Sequence, residues 1–524
     1  MASPITRVAR WALLLAMLAL PMAAGAAEMQ RGGAAIIAVS GDPGHLNPAI
    51  STAGPLHAVA GSIFNGLIAL DEAGNPVPDL AESWEVTPDG LRVAFRLRPG
   101  VIWHDGQPFT AEDVRVTFIE VLLRFHARAR TGLAPAVEAV ETDGPLGIVF
   151  RLRRPHPALL RQLDVTEAPI LPAHLFTGTD PSTNPANQRP VGTGPFRFES
   201  YRRDDAVVLT RNPSYFKPDL PRLDRLVFRV VPDASTQVNA LLAGEVDMLA
   251  RVSAADADRL RGRGMSLVET RSAPGGSNCI MTVAFNLDRP VPGQQALRDA
   301  FALGLDRARM LELVAFNQGR VAEAPIASGI VWAHAPGALA AWRPDIAEAN
   351  RRLDAAGLAR GADGLRASLD LLLFPAFSRW AEIMRQQLAP LGIALRVQTL
   401  DPAAFAQAVF TRRAFDLALV SYCNGTDPEI GVRRMIHSSA IGNVPFSNAA
   451  GYRNLEVDAL FDRAASLQDE AARGEAYRAA QSILARDLPY WWLIETDFAA
   501  AWRGSFADFA PWTGQVAERA GRRD

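Results

Sequence analysis

Phe95-Arg-Leu-Arg-Pro-Gly-Val-Ile-Trp-His-Asp-Gly-Gln-Pro-Phe-Thr-Ala-Glu-Asp-Val114 ends a strand, turns through a Gly- and Pro-bearing loop and opens a helix. The strand half belongs to a hairpin over Ser83–Arg98. Trp84 and Val86 alternate with polar neighbours, Thr87-Pro88-Asp89-Gly90 turns the chain, and Leu91, Val93, Phe95 and Leu97 alternate back. The helix half is announced by Thr110 as N-cap and Asp113 in an acidic first turn. Val114, Phe118, Val121, Leu122 and Phe125 recur on one helical face, so the helix is predicted to pack on the hairpin.

Outward from this run the chain alternates between strands and helices. Before it, Ala34–Ser40 reads as an apolar strand closed by Gly41-Asp42-Pro43-Gly44. After it, residues 177–195 are rich in Pro, Asn, Thr and Gly and read as a boundary. Strands follow at Ala206–Thr210 and Leu226–Val231, then a helix over Ser235–Ala243. A strand at Met281–Asn286 precedes a helix over Gln295–Leu305. Strands at 367–373, 393–399 and 415–421 are separated by helices at 377–390 and 402–411, which predicts an α/β unit with its own sheet. Helices over Leu455–Ala485 bury Val457, Leu460, Phe461 and Ala464, and Pro489-Tyr490-Trp491-Trp492 returns to strand-like composition.

Composition narrows the function classes. With 524 residues, 49% hydrophobic and 21% charged, the chain is globular, and at ~150 residues per domain about three domains are expected. Basic and acidic residues number 54 and 56, so net charge offers no case for a nucleic-acid partner. Lys217 is the only lysine and sits in Phe216-Lys217-Pro218, which is no phosphate-binding loop, so ATP hydrolysis by that route is excluded. Residues 1–26 read as a signal peptide: Arg7 and Arg10 precede the short apolar run Trp11–Leu20, and Ala24-Gly25-Ala26 suits a signal peptidase. No cysteine follows that run, so an exported, soluble protein without a lipid anchor is expected. Cys279 and Cys423 are either one disulfide or two buried thiols. Eight histidines without a helical pair predict no metal site and no cofactor, and the lack of a Gly-x-Ser-x-Gly elbow leaves a secreted hydrolase without motif support, so no enzyme is expected.

Leu80-Ala-Glu-Ser-Trp-Glu-Val86 with the run through Val114, Pro190-Val-Gly-Thr-Gly-Pro-Phe196, Arg211-Asn-Pro-Ser-Tyr215, Phe285-Asn-Leu287 and Leu297–Asp306 occur in an order and spacing that resemble one family. It is the large substrate-binding proteins of bacterial peptide/nickel-type ABC importers, solute-binding protein family 5. The resemblance implies an α/β, two-lobed periplasmic binding protein of type II with an extra domain inserted in lobe one. Mapped here, lobe one spans 27–75, 191–280 and 490–524, the inserted domain 76–190, and lobe two 281–489. It implies a monomer that traps a peptide or small-molecule ligand by hinge closure. The ligand then passes to an inner-membrane permease with a separate ATPase, and no bond is made or broken.

The resemblance also implies where ligand sits. Thr52 and Gly54 fall on first-lobe positions that contact ligand in dipeptide-binding relatives. The second-lobe loop is Ser421-Tyr-Cys-Asn-Gly-Thr-Asp-Pro428, with Ser421, Tyr422, Asn424 and Asp427 as candidate contacts. Peptide binders of the family carry Asp where this chain has Asn424, and an amide cannot neutralise a ligand ammonium. The Arg that holds a dipeptide carboxylate is missing from Leu371-Leu-Leu-Phe-Pro-Ala-Phe377. An oligopeptide or peptide-like solute without dipeptide geometry is therefore expected, with a nickel chelate, opine or sugar as the alternative. Asp427 and Glu429 are substitutes to meet a cation, and Arg379, Arg433 and Arg434 to meet an anion. Asp427-Pro428 also reads as a helix cap, and Trp332 is a candidate wall of the pocket.

Overall fold

The computed structural model describes residues 29–51, 54–71, 74–126, 128–269, 278–442, 446–511 and 514–523. The expected signal peptide and Thr52 lie outside the described residues.

Two mixed sheets carry the two lobes. Among the described residues, the first has seven strands in the order Met265–Glu269, Ala499–Arg503, Met248–Val252, Ala34–Val39, Arg225–Val230, Ala206–Arg211 and Phe196–Arg202. Its centre, Ala34–Val39, is parallel to both neighbours, and its flanks are antiparallel. The second has six: Arg320–Val321, Tyr490–Glu495, Cys279–Phe285, Leu417–Cys423, Ala367–Leu373 and Ile393–Thr399. Cys279–Phe285 is buried at every position, as expected of a central strand covered on both faces. The chain passes between the sheets twice, after Glu269 and again between Glu495 and Ala499. Two lobes joined by two crossings form the type II binding-protein fold.

A four-stranded antiparallel sheet, Ala81–Val86, Arg92–Leu97, Gly147–Leu152 and Val137–Thr142, stands apart from both. The predicted hairpin is present, with Trp84 opposite Phe95 and Val86 opposite Val93. Val93, Phe95 and Leu97 are buried, whereas Leu91 at the turn is 37% exposed and drops out of the alternation. The helix begins at Ala111, where the Asp113 carboxylate accepts the Thr110 N–H at 2.8 Å and the Ala173 N–H at 2.7 Å. Phe118 and Phe95 both meet Phe150 edge-on, at 4.9 and 5.7 Å, so the helix does seal the sheet. This core runs without a break into that of the first lobe, from Phe150 to Ile37 and Phe228.

One seam moves. Tyr490–Glu495, expected to open the last piece of lobe one, pairs instead with Cys279–Phe285 in the second sheet. All six of its residues are buried, and an apolar run of that kind is most stable inside a sheet rather than at a crossing. The return to the first sheet occurs at Ala499.

Candidate functional site

The hinge and the second-lobe loop are tied together covalently. Cys279 and Cys423 sit directly opposite each other in the antiparallel pair and form a disulfide, so the choice the sequence left open falls to the bridged form. The Cys279 carbonyl accepts the Thr496 N–H of the second crossing at 3.0 Å. The loop after Cys423 is therefore anchored at the place where both crossings meet the second lobe.

Strand alternation sorts the predicted loop contacts. Tyr422 is wholly buried: its hydroxyl donates to the Ser447 carbonyl at 2.8 Å and its ring packs on Tyr490 at 5.7 Å. It is a core residue and not a ligand contact, because it points to the face opposite Ser421, which is half-buried. Asp427 is also wholly buried and also committed. Its oxygens each accept from Arg473 at 2.9 Å, and Oδ1 caps the next helix by accepting the Glu429 N–H at 3.0 Å. A buried carboxylate needs such pairing, so Asp427 is not free to meet a ligand cation. Burial opposes the charge of Arg473, but the Asp427 carboxylate outweighs it and raises the guanidinium further. The Trp332 ring lies under that guanidinium, 4.8 Å from its centroid, and is half-buried.

Asn424 is 0% exposed. Its Oδ1 accepts the Ala327 N–H at 2.8 Å, while its Nδ2 has no partner. A side chain on Gly431 would strike the Asn424 backbone at 2.3 Å, so this glycine is what lets the following helix lie on the loop. Of the other substitutes, Arg433 is spent on Asp462 at 2.6 Å and Glu429 at 3.4 Å, and Arg379 is exposed and stacks on Phe316. Among the described residues Arg434 has two marginal hydrogen bonds, to the Gly431 and Cys423 carbonyls at 3.4 and 3.5 Å. Burial, with the neighbouring Arg128 charge, brings it down to about 10, so it stays cationic at neutral pH.

The facing wall comes from the inserted domain and lobe one. Arg161 lies 3.8 Å from Asp427 and 3.6 Å from Glu470, and Arg154 lies 4.0 Å from Glu429. The inserted domain thus closes on the second lobe through guanidinium–carboxylate pairs. Burial pushes Glu429 up to about 7, only partly offset by Arg433. Arg128 pairs with Glu167. His126 is wholly buried, and burial takes it down to about 4. Gly54 begins the helix Gly54–Ala60 at an exposed position where an added side chain meets nothing within 4 Å, so packing does not demand the glycine. His57, on the same helix, donates from Nε2 to the Ser51 carbonyl at 2.9 Å, and burial and Arg128 lower its affinity for protons.

None of Arg128, Arg154, Arg161, His57 and His126 carried a motif. The basic run Arg151-Leu-Arg-Arg154 was the single local hint. A separate cavity of about 470 Å³ on the second lobe, between Asp299, Trp342 and Arg352, has its polar groups paired among themselves, Arg352 with Asp299 at 2.8 Å and Trp342 with the Ala485 carbonyl at 2.8 Å. Among the described residues no cluster of His, Cys, Asp or Glu is placed to hold a metal, and no helix is long and apolar enough to cross a membrane.

Comparison with known proteins fits this geometry. Over 487 residues the chain is 26% identical to the di/tripeptide-binding protein 1 of Pseudomonas aeruginosa, covering 87% of each. It superposes on the Helicobacter pylori ABC transporter-associated periplasmic binding protein DppA, solved with the peptide STSA, with a TM-score of 0.80 at 20% identity, over 94% of this chain and 99% of that one. It superposes on the binding protein AgaA of A. tumefaciens R10, solved with agropinic acid, with a TM-score of 0.81 at 23% identity, over 94% and 99%. The fold is common to structures with unlike ligands. Residues 75–443 match the model of the bacterial extracellular solute-binding proteins, family 5 Middle, and the chain belongs to that family.

Proposed function

We propose that this protein is the extracytoplasmic solute receptor of an ABC importer. It captures an oligopeptide or peptide-like solute between its lobes and delivers it to an inner-membrane permease served by a separate ATPase. The observation that carries the reading is the pair of sheets joined by two crossings, with Arg154 and Arg161 of one side set against Glu429, Asp427 and Glu470 of the other. Such contacts need the lobes to approach each other, which supports closure as the working motion and the space between them as the binding site. Export to the periplasm and a monomeric state complete the proposal, supported by the N-terminal run and by the family. No covalent step is assigned to the chain.

Native mass spectrometry on protein exported to a bacterial periplasm and purified without refolding tests this. A ladder of retained peptide masses would establish an oligopeptide receptor. One discrete non-peptide mass would move the ligand to the opine, sugar or chelate class. A protein that retains nothing, and that no solute mixture stabilises against heat, would sink the receptor reading.

A further inference from the structure

Charges around the second-lobe loop do not cancel locally. Asp427 is matched by Arg473, Glu429 by Arg433 and Arg154, Asp462 by Arg433 and Glu167 by Arg128. Each of these four acidic groups has a guanidinium. Arg434 is left over: no described carboxylate lies within 4 Å of it, and its carbonyl contacts sit at the limit of hydrogen bonding. Leaving a half-buried guanidinium without a counter-charge is costly unless an anion arrives.

Two buried donors accompany it. Asn424, adjoining the Cys423 carbonyl that Arg434 touches, has a free Nδ2. His126 has a free Nε2. Its Nδ1 receives the Ala129 N–H at 3.4 Å, so the neutral ring carries its proton on Nε2 and offers it as a donor. His126 and Arg434 share the Arg128–Glu167 pair as electrostatic neighbours, one from the inserted domain and the other from the second lobe. Both Glu429 carboxylate oxygens are buried without a hydrogen-bond partner, but that carboxylate lies 3.4 Å from the Arg433 guanidinium and 4.0 Å from that of Arg154, so the unmatched charge is that of Arg434.

Resting on the receptor reading above, we infer that the cleft takes a net-anionic solute whose carboxylate or phosphate seats on Arg434, with the Asn424 amide as a further donor and no ammonium at that end. Asn424 in place of an acid then acquires a positive role: a carboxylate there would repel the same oxyanion.

The test uses a deproteinised bacterial extract split by anion exchange at about pH 8 into retained and unretained fractions. Each is titrated against the exported, unrefolded protein while its melting temperature is followed. The retained fraction alone is expected to raise it. Arg434→Met should raise the amount needed for half the effect about tenfold or more, and Arg434→Lys, which keeps the charge, should lose less. Phosphatase treatment separates the two oxyanions: an effect that disappears names a phosphate, one that survives a carboxylate. A rise with the unretained fraction alone overturns the inference and leaves the receptor standing. So does an Arg434→Met protein, folded by circular dichroism, that responds as the parent does. No rise with either fraction overturns the receptor reading itself.

Discussion

The family motifs and the ligand loop solve opposite polar problems. Around Pro190–Phe196 the side chains of His104, Asn212, Thr193 and Asn65 all find protein partners. His104 accepts the Gly192 N–H on Nδ1 at 3.2 Å and donates from Nε2 to the Gly194 carbonyl at 3.0 Å, with burial holding it down at about 4 and neutral. Asn212 donates to the same carbonyl at 3.0 Å. Thr193 donates to Asn65, Asn65 to Asp79, and the sole lysine, Lys217, bridges Asp79 at 2.9 Å and Glu518 at 2.8 Å. A side chain on Gly192 would fall 1.8 Å from the Ile63 carbonyl oxygen. Thus the most recognisable residues lock lobe one, the inserted domain and the C-terminal segment together. At the second-lobe loop, by contrast, Arg434 has only long carbonyl contacts, and the Asn424 amide and the Glu429 carboxylate oxygens have no hydrogen-bond partner among the described residues. Family membership is written in the scaffold, and the proposed ligand choice rests on the unsaturated groups.

That contrast is open to attack by mutation. Lys217→Met strands Asp79, which is 1% exposed, beside Glu518, and should cost about 3 kcal/mol of folding stability in urea titration, with solute affinity per folded molecule unchanged. An equal loss of affinity would put the motif residues in the site after all. Replacing Cys279 and Cys423 by Ser opens a loop spanning 144 residues, and about 2–4 kcal/mol should be lost. Solute binding should weaken in parallel, since the bridge also anchors the ligand loop.

Glu429 provides a smaller effect with a defined sign. Its folded value, about 7 against 4.5, means the native state binds the proton more tightly than the unfolded chain. Its contribution is therefore full below about pH 4.5 and fades as pH rises through 7, on the order of 2 kcal/mol in all. Glu429→Gln should flatten that part of the stability–pH curve, and an unchanged slope would show that the carboxyl is solvated. In Asn424→Asp, which can keep the contact to the Ala327 N–H, affinity for an anionic solute should fall about tenfold by calorimetry. Tighter binding in that variant would reverse the comparison and point to a cationic ligand end.

Much of this architecture was legible beforehand for local reasons. Strands at 367–373 and 393–399, the hairpin and the capped helix at Ala111 depend on alternation, turn chemistry and capping, which neighbouring residues set. The seam at 490 was misplaced because a buried strand and a crossing segment can share one apolar composition; only its pairing with Cys279–Phe285 distinguishes them. Asp427 shows the same limit in the site. Its place before Pro428 correctly suggested a helix cap, but its second commitment, to Arg473, spans 46 residues.

By itself, the sequence determined the family and the two-lobed class, since each rests on residue identity at a recognisable position. Tertiary structure alone decided the disulfide, the burial of Tyr422 and which arginine stays uncommitted. Arg433 and Arg434 are adjacent and chemically identical, yet Asp462 lies beside only the first. Availability is what remains after long-range pairing, and pairing partners separated by dozens of residues are brought together only by the fold.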